Sequence, residues 1–223
     1  VLTLVAPGVS TASVDLSVLA PHGSFQPVGL GHLEVKPGTV TQVRLDSATR
    51  KQGAAIHLSS DAPVTASVRS DLGSGSGDHD VAYSSASRSL AGPAVVPVTS
   101  SGPGQSATLL LSTPSQRAVR VTAELAGTDG HPLGSTKVVV KPGSTVAVTL
   151  TPPKGTKQYV LVVRSDGGGP LYGTRLQVES HADGPMVSSW PLASANLTAV
   201  RPVSRSDLGA GIGVEETKDS LFN

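Results

Sequence analysis

The densest group of potential ligands brackets the run Gly73-Ser74-Gly75-Ser76-Gly77, with Asp71 before it and Asp78 and Asp80 after it. Carboxylates on a glycine-rich loop are hard oxygen donors of the kind Ca²⁺ gathers in flexible geometry. The spacing lacks the EF-hand order, with no Glu closing the loop, and the glycine loop at Asp166-Gly167-Gly168-Gly169 carries no matching cluster. The run therefore reads first as a soluble hairpin connection. A calcium site at Asp71, Asp78 and Asp80 is the alternative.

Hydrolytic chemistry needs a nucleophile held beside a base, with a third group orienting the base. The six histidines are His22, His32, His57, His79, His131 and His181, and no H-E-x-x-H or H-x-x-x-H pair occurs among them. No G-x-S-x-G elbow exposes a serine. Gly73-Gly75-Gly77 and Gly209-Gly211-Gly213 miss the spacing of a dinucleotide cradle and precede no helical pattern. The chain is expected to be no enzyme, with no catalytic residues and no cofactor. Its only tryptophan, Trp190, sits in Ser188-Ser189-Trp190-Pro191. Placed in the core or in a seam, the indole is structural; exposed beside Tyr159 or Tyr172, it would stack on a sugar ring.

These residues stand on a chain of 223 residues that is 38% hydrophobic, 3% aromatic and 15% charged, with a formal charge of +1 and no cysteine. Near-neutral charge argues against a nucleic-acid surface, which needs clustered Lys and Arg. No apolar run approaches the ~20 residues of a membrane span. Disulfides, thiolate metal sites and thiol catalysis are all excluded. Arg outnumbers Lys ten to seven and Ile occurs twice, a usage that points to a GC-rich genome and an actinobacterium.

The positioning elements come in two copies. Val35-Lys36-Pro37-Gly38 recurs as Val140-Lys141-Pro142-Gly143, an offset of 105 that also carries Val43 onto Val148 and Ser60-Asp61 onto Ser165-Asp166. Leu2, Leu4 and Pro7 match Leu109, Leu111 and Pro114 at 107. Each copy alternates with period two, as in Val14, Leu16 and Val18 against Ser13, Asp15 and Ser17. That alternation is the mark of a half-buried strand. Lys-Pro-Gly supplies the turns, because Pro presets φ and Gly accepts φ > 0. The pattern predicts an all-β chain of two tandem immunoglobulin-like β-sandwiches from an internal duplication, at 1–98 and 99–203, with a tail at 204–223. The first copy lacks a counterpart of the stretch Ala94–Ser106.

Three segments carry a resemblance: Ser60-Asp61-Ala62-Pro63-Val64-Thr65-Ala66, Asp80-Val81-Ala82-Tyr83-Ser84-Ser85-Ala86 and Ala107-Thr108-Leu109-Leu110-Leu111-Ser112-Thr113-Pro114. With them the chain resembles a family of actinobacterial secreted or membrane-tethered proteins of unknown function, over most of residues 1–203. The resemblance implies an extracytoplasmic location and immunoglobulin-like repeats, and brings no catalytic residues. The expected role is an adhesion, scaffold or spacer module of a bacterial envelope, partnered by another envelope protein or by cell-wall glycan. A glycan-binding module centred on Trp190 is the runner-up and a calcium-dependent adhesin the third reading.

Overall fold

The computed structural model describes residues 1–49, 52–72, 80–182 and 184–195. In the N-terminal half the alternating runs form β1 (Leu2–Val5), β2 (Ala12–Ala20), β3 (Gly23–Phe25), β4 (His32–Val35) and β5 (Val40–Val43). After the single turn of helix α1 (Asp46–Thr49) come β6 (Ala55–Ser60), β7 (Thr65–Leu72) and β8 (Asp80–Ser85). The C-terminal half contains β9 (Ala94–Ser100), β10 (Gln105–Thr113), β11 (Val119–Ala126), β12 (Pro132–Val140) and β13 (Ser144–Leu150). It closes with β14 (Gln158–Ser165), β15 (Tyr172–His181) and β16 (Gly184–Pro191).

All strand pairs within these sheets are antiparallel. One N-terminal sheet has the order β5-β1-β7-β8; in the other, β2 pairs with β3 and β4 on one edge and with β6 on the other. The C-terminal sheets run β13-β10-β15-β16 and β12-β11-β14-β9. The order β5-β1-β7-β8 matches β13-β10-β15-β16, while in the other pair of sheets β3 and β4 together stand where β12 does and β9 has no counterpart; the register of the matching strands agrees. Leu2 stands opposite Val43 as Leu109 stands opposite Val148, and Leu16 opposite Leu58 as Ala123 opposite Val163. The Lys-Pro-Gly turns also match, with Gly38 and Gly143 at φ +67° and +59°. In each, the hydroxyl after the glycine (Thr39, Ser144) donates to the lysine carbonyl at 2.8 Å.

Period-two burial explains the layers. Along β2, Ala12, Val14, Leu16 and Val18 are sealed while Ser13, Asp15 and Ser17 face out. With Leu2, Leu4, Val35 and Val43 they make the N-terminal core between its two sheets. Leu109, Leu111, Val121, Ala123, Tyr159, Leu161 and Val163 make the C-terminal one. Strand β9 lies wholly with the C-terminal half through its pairing with β14, so the division at 98 expected from the repeat is corrected to the connection at 86–93. The tail expected at 204–223 lies outside the described residues.

Candidate functional site

The halves are joined through the outer face of the sheet that contains β10 and β13. Register places Ser112 and Thr145 side by side on that face, away from the inward Leu111 and Val146. Both are buried, because the end of the N-terminal half sits on them. Thr145 Oγ1 donates to the Leu19 carbonyl at 2.7 Å and accepts from the Ala55 N–H at 3.2 Å, with the Ser112 hydroxyl 2.8 Å away. Leu19 and Ala55 are opposite residues on β2 and β6, so the hydroxyl bridges the end of that ladder. Small residues permit the approach: a Cβ on Gly53 would stand 3.0 Å from Leu110, and one on Gly143 would stand 2.9 Å from Ser24 Oγ.

A second seam runs along β8 and β16. Strand β1 ends its pairing with β7 at Val68, and the described part of the β7–β8 ladder beyond it, 69–72 with 80–83, extends as an arm. The arm lies along β16, where the Ser84 and Ser189 hydroxyls meet at 2.5 Å and Asp80 accepts the Val187 N–H. Ala82, between them, is buried yet belongs to neither core. The N–H groups of Val187 and then Val81 hold the Asp80 carboxyl below its usual range. Folding favours the ionised form, so this contribution is present above the ordinary carboxylate range and is lost as pH falls through the lowered value. Acid titration followed by amide exchange is expected to release the arm from β16 below the ordinary carboxylate range. The Asp80→Asn variant is expected to lose that pH dependence.

The third cluster lies inside the C-terminal half near the β16 edge. Arg175 on β15 points between the sheets and is 4% exposed. Its Nη1 donates to Thr99 Oγ1 at 2.8 Å, while Nε is buried without a partner. Trp190 stands directly opposite it on β16, with the guanidinium carbon 5.7 Å from the ring centroid. Burial shifts the Arg175 pKa down and that of the neighbouring Tyr159 phenol up. The indole is 57% exposed, since it caps the open margin of the two sheets rather than filling either the core or the seam.

The structure separates the other residues singled out in the sequence. Tyr159 is 1% exposed and presents no ring face to a sugar. Tyr172 lies on the face of its sheet opposite to Trp190, because β15 alternates and Arg175 is the residue facing the indole. Asp71 and Asp80 pair with Val81 and Leu72, which puts their side chains on opposite faces of the hairpin. Asp71 is held by Arg69 at 2.9 Å and Asp80 by the β8–β16 seam; Asp78 lies outside the described residues. Among the described residues no group of three metal-ligating side chains is arranged to hold a metal ion.

One cluster escaped the sequence reading. His32 Nδ1 lies 3.0 Å from Asp15, and Nε2 lies 3.2 Å from Glu34 and 3.3 Å from Ser13 Oγ. Hydrogen bonds from Asp15 and then Glu34 raise the imidazole pKa. Glu34 competes with Ser13 for Nε2, and all four side chains stand on an exposed strand face, so the set reads as a solvated charge cluster. Only the β2–β4 register, Asp15 opposite His32 and Ser13 opposite Glu34, brings the four together.

Among solved structures the chain is similar to Thermotoga maritima 1070, at 13% identity and a TM-score of 0.42, over 48% of this chain and 96% of that one. It is also similar to the Anabaena sensory rhodopsin transducer, at 12% identity and a TM-score of 0.33, over 58% and 99%. Likenesses at this level carry no function across. No curated protein matches the chain. The sequence model of a family of unknown function, DUF5719, matches residues 1–151, and the chain belongs to that family.

Proposed function

We propose that the chain is a non-catalytic adhesion, scaffold or spacer module of a bacterial, and specifically actinobacterial, envelope, working outside the cytoplasm. In this reading it consists of two immunoglobulin-like β-sandwiches that arose by duplication. The repeated order β5-β1-β7-β8 and β13-β10-β15-β16, with matching register, supports the duplication. The observation that carries the functional reading is the junction. Two separate seams, at Thr145 and along β8–β16, fix one half on the other, as a strut or a presenting platform requires. Tandem β domains offer sheet edges and end loops to a partner without a catalytic pocket.

The test is retention of the purified chain on isolated actinobacterial cell wall, with and without prior removal of wall protein by protease. The scaffold reading predicts retention only where wall protein is intact. Retention on protease-stripped wall favours the second reading, a glycan module. Exposure of Trp190, the only tryptophan, over the buried Arg175 supports that alternative. Under the scaffold reading Trp190→Ala is expected to leave retention on intact wall unchanged. Under the glycan reading it abolishes retention on stripped wall while the melting temperature stays within a few degrees of the parent's.

A further inference from the structure

Among the described residues, Arg175 is a buried cation without a counter-ion. Leu109 stands beside it on β10 as Leu2 stands beside Val68 on β1. Trp190 stands opposite it on β16 as Ser84 stands opposite Val68 on β8. The N-terminal half thus fills the same two places with neither charge nor ring, and Val68 packs on its core. The strand order does not require the guanidinium, and burying one without a carboxylate costs stability. Local rules broken at a cost to stability mark functional sites.

The free donors have a definite shape. Thr99 Oγ1 accepts from Nη1 at 2.8 Å, and among the described residues it is the only partner of the guanidinium. Nε is buried with nothing to bond. The N–H groups of Nε and Nη2 lie side by side on one edge of the guanidinium plane, and such a pair matches both oxygens of a carboxylate. The acidic residue on the same face of β15, Glu179, stands four residues along and accepts from Gln177 Nε2 at 3.2 Å.

Access lies at the margin of the two C-terminal sheets. Strands β16 and β9 are their outer strands, and they carry Trp190 and Thr99 to Arg175. The indole is 57% exposed, so it offers solvent the ring surface that Arg175 does not cover. A turn of this one side chain uncovers the guanidinium with no strand displaced.

We propose that Arg175 and Trp190 bind a sugar acid, a pyranose whose carboxylate takes the Nε and Nη2 donors while its C–H face stacks on the indole. Thr99 is the positioning residue, since it holds Nη1 and so fixes the plane of the fork. A flat exposed ring beside a carboxylate fork selects a ligand that carries an apolar face and an acid together. A peptide carboxylate supplies the acid without that face. The inference rests on the glycan reading of Trp190 and names the class of its ligand.

The probe is a trisaccharide of glucuronic acid, titrated into the full chain against the matching glucose trisaccharide and an acetylated peptide ending in glutamate. Emission of Trp190, the only tryptophan, follows binding, and the Arg175 Nε–H proton resonance reports the carboxylate. The sugar acid is expected to shift both signals saturably and to bind about a hundredfold more tightly than the neutral sugar, as a two-point charged hydrogen bond provides. Arg175→Met is expected to remove that preference and leave both sugars weakly and equally bound. Arg175→Lys keeps the charge without the fork and is expected to weaken the acid about tenfold. Trp190→Ala is expected to weaken both sugars, with circular dichroism reporting whether each variant folds. Equal binding of the two sugars by the parent chain overturns the carboxylate site while leaving the glycan reading standing. Tighter binding of the peptide, or a change in emission with the Nε–H resonance unmoved, also overturns the inference. So does failure of the sugar acid to bind. Where the parent chain is also absent from protease-stripped wall, the glycan reading falls with it; where it is retained there, only the sugar-acid site falls.

Discussion

Thr145→Val is expected to lower stability by about 3 kcal/mol, because one buried hydroxyl satisfies three groups and valine satisfies none. The variant keeps the shape of the side chain and removes only its hydrogen bonding. The Leu19 carbonyl loses its donor, the Ala55 N–H its acceptor and the Ser112 hydroxyl its neighbour. A buried polar group left unpaired costs about 1–3 kcal/mol, and partial relaxation at the half-buried Ala55 N–H keeps the sum at the lower end of the range for three such groups. The loss falls on the joint rather than on either core. The parent chain is therefore expected to melt in a single calorimetric transition, and the variant in two, one for each half. A variant that melts once, at the parent temperature, would show that the hydroxyl does not couple the halves.

Arg175→Met is expected to act in the opposite direction. A guanidinium stays charged in a folded protein, and Arg175 is buried against Thr99 and Trp190 with no carboxylate among its described partners. Its Nε is also unpaired. Replacing buried charges by apolar side chains of similar volume is often neutral or stabilising, by about 1–4 kcal/mol. Methionine fills most of the same volume and keeps contact with the indole through its sulfur. The expected gain is about 1–2 kcal/mol, because the lost cation–π contact offsets part of the benefit. Urea denaturation followed by the emission of Trp190 reads the effect cleanly, there being no other tryptophan. A fall in stability of similar size would mean that the Arg175–Thr99 bond outweighs the desolvation of the charge.

The layers were legible in the sequence because period-two alternation is a local property. Val14, Leu16 and Val18 announce which face of β2 is buried before any partner strand is known. The turns were legible for the same reason: Lys36-Pro37-Gly38 contains within itself the φ angles that it adopts. The junction was not legible. Thr145 looks like any outward threonine of a strand, and its role depends on Leu19 and Ala55, which reach it only after both halves have folded. Trp190 was ambiguous because alternation assigns it to an inward face, whereas its place on an edge strand leaves that face partly open. Asp71 and Asp80 looked like co-ligands through their spacing, and the β7–β8 register turns them to opposite sides. Arg175 gave no signal at all, since an inward arginine breaks the alternation that the reading relies upon.

The central claim is that two separate seams hold the halves in one fixed arrangement, and a distance measurement tests it most directly. The chain has no native cysteine, so a pair introduced at the exposed positions Ser59 and Lys137 carries spin labels at unique sites, one on each half. Pulsed electron double resonance on this pair is predicted to give one narrow distance distribution, which broadens when Thr145→Val and Asp80→Ala are combined to open both seams. A distribution that is already broad in the parent chain would contradict the account, because a chain hinged at 86–93 cannot serve as a fixed strut.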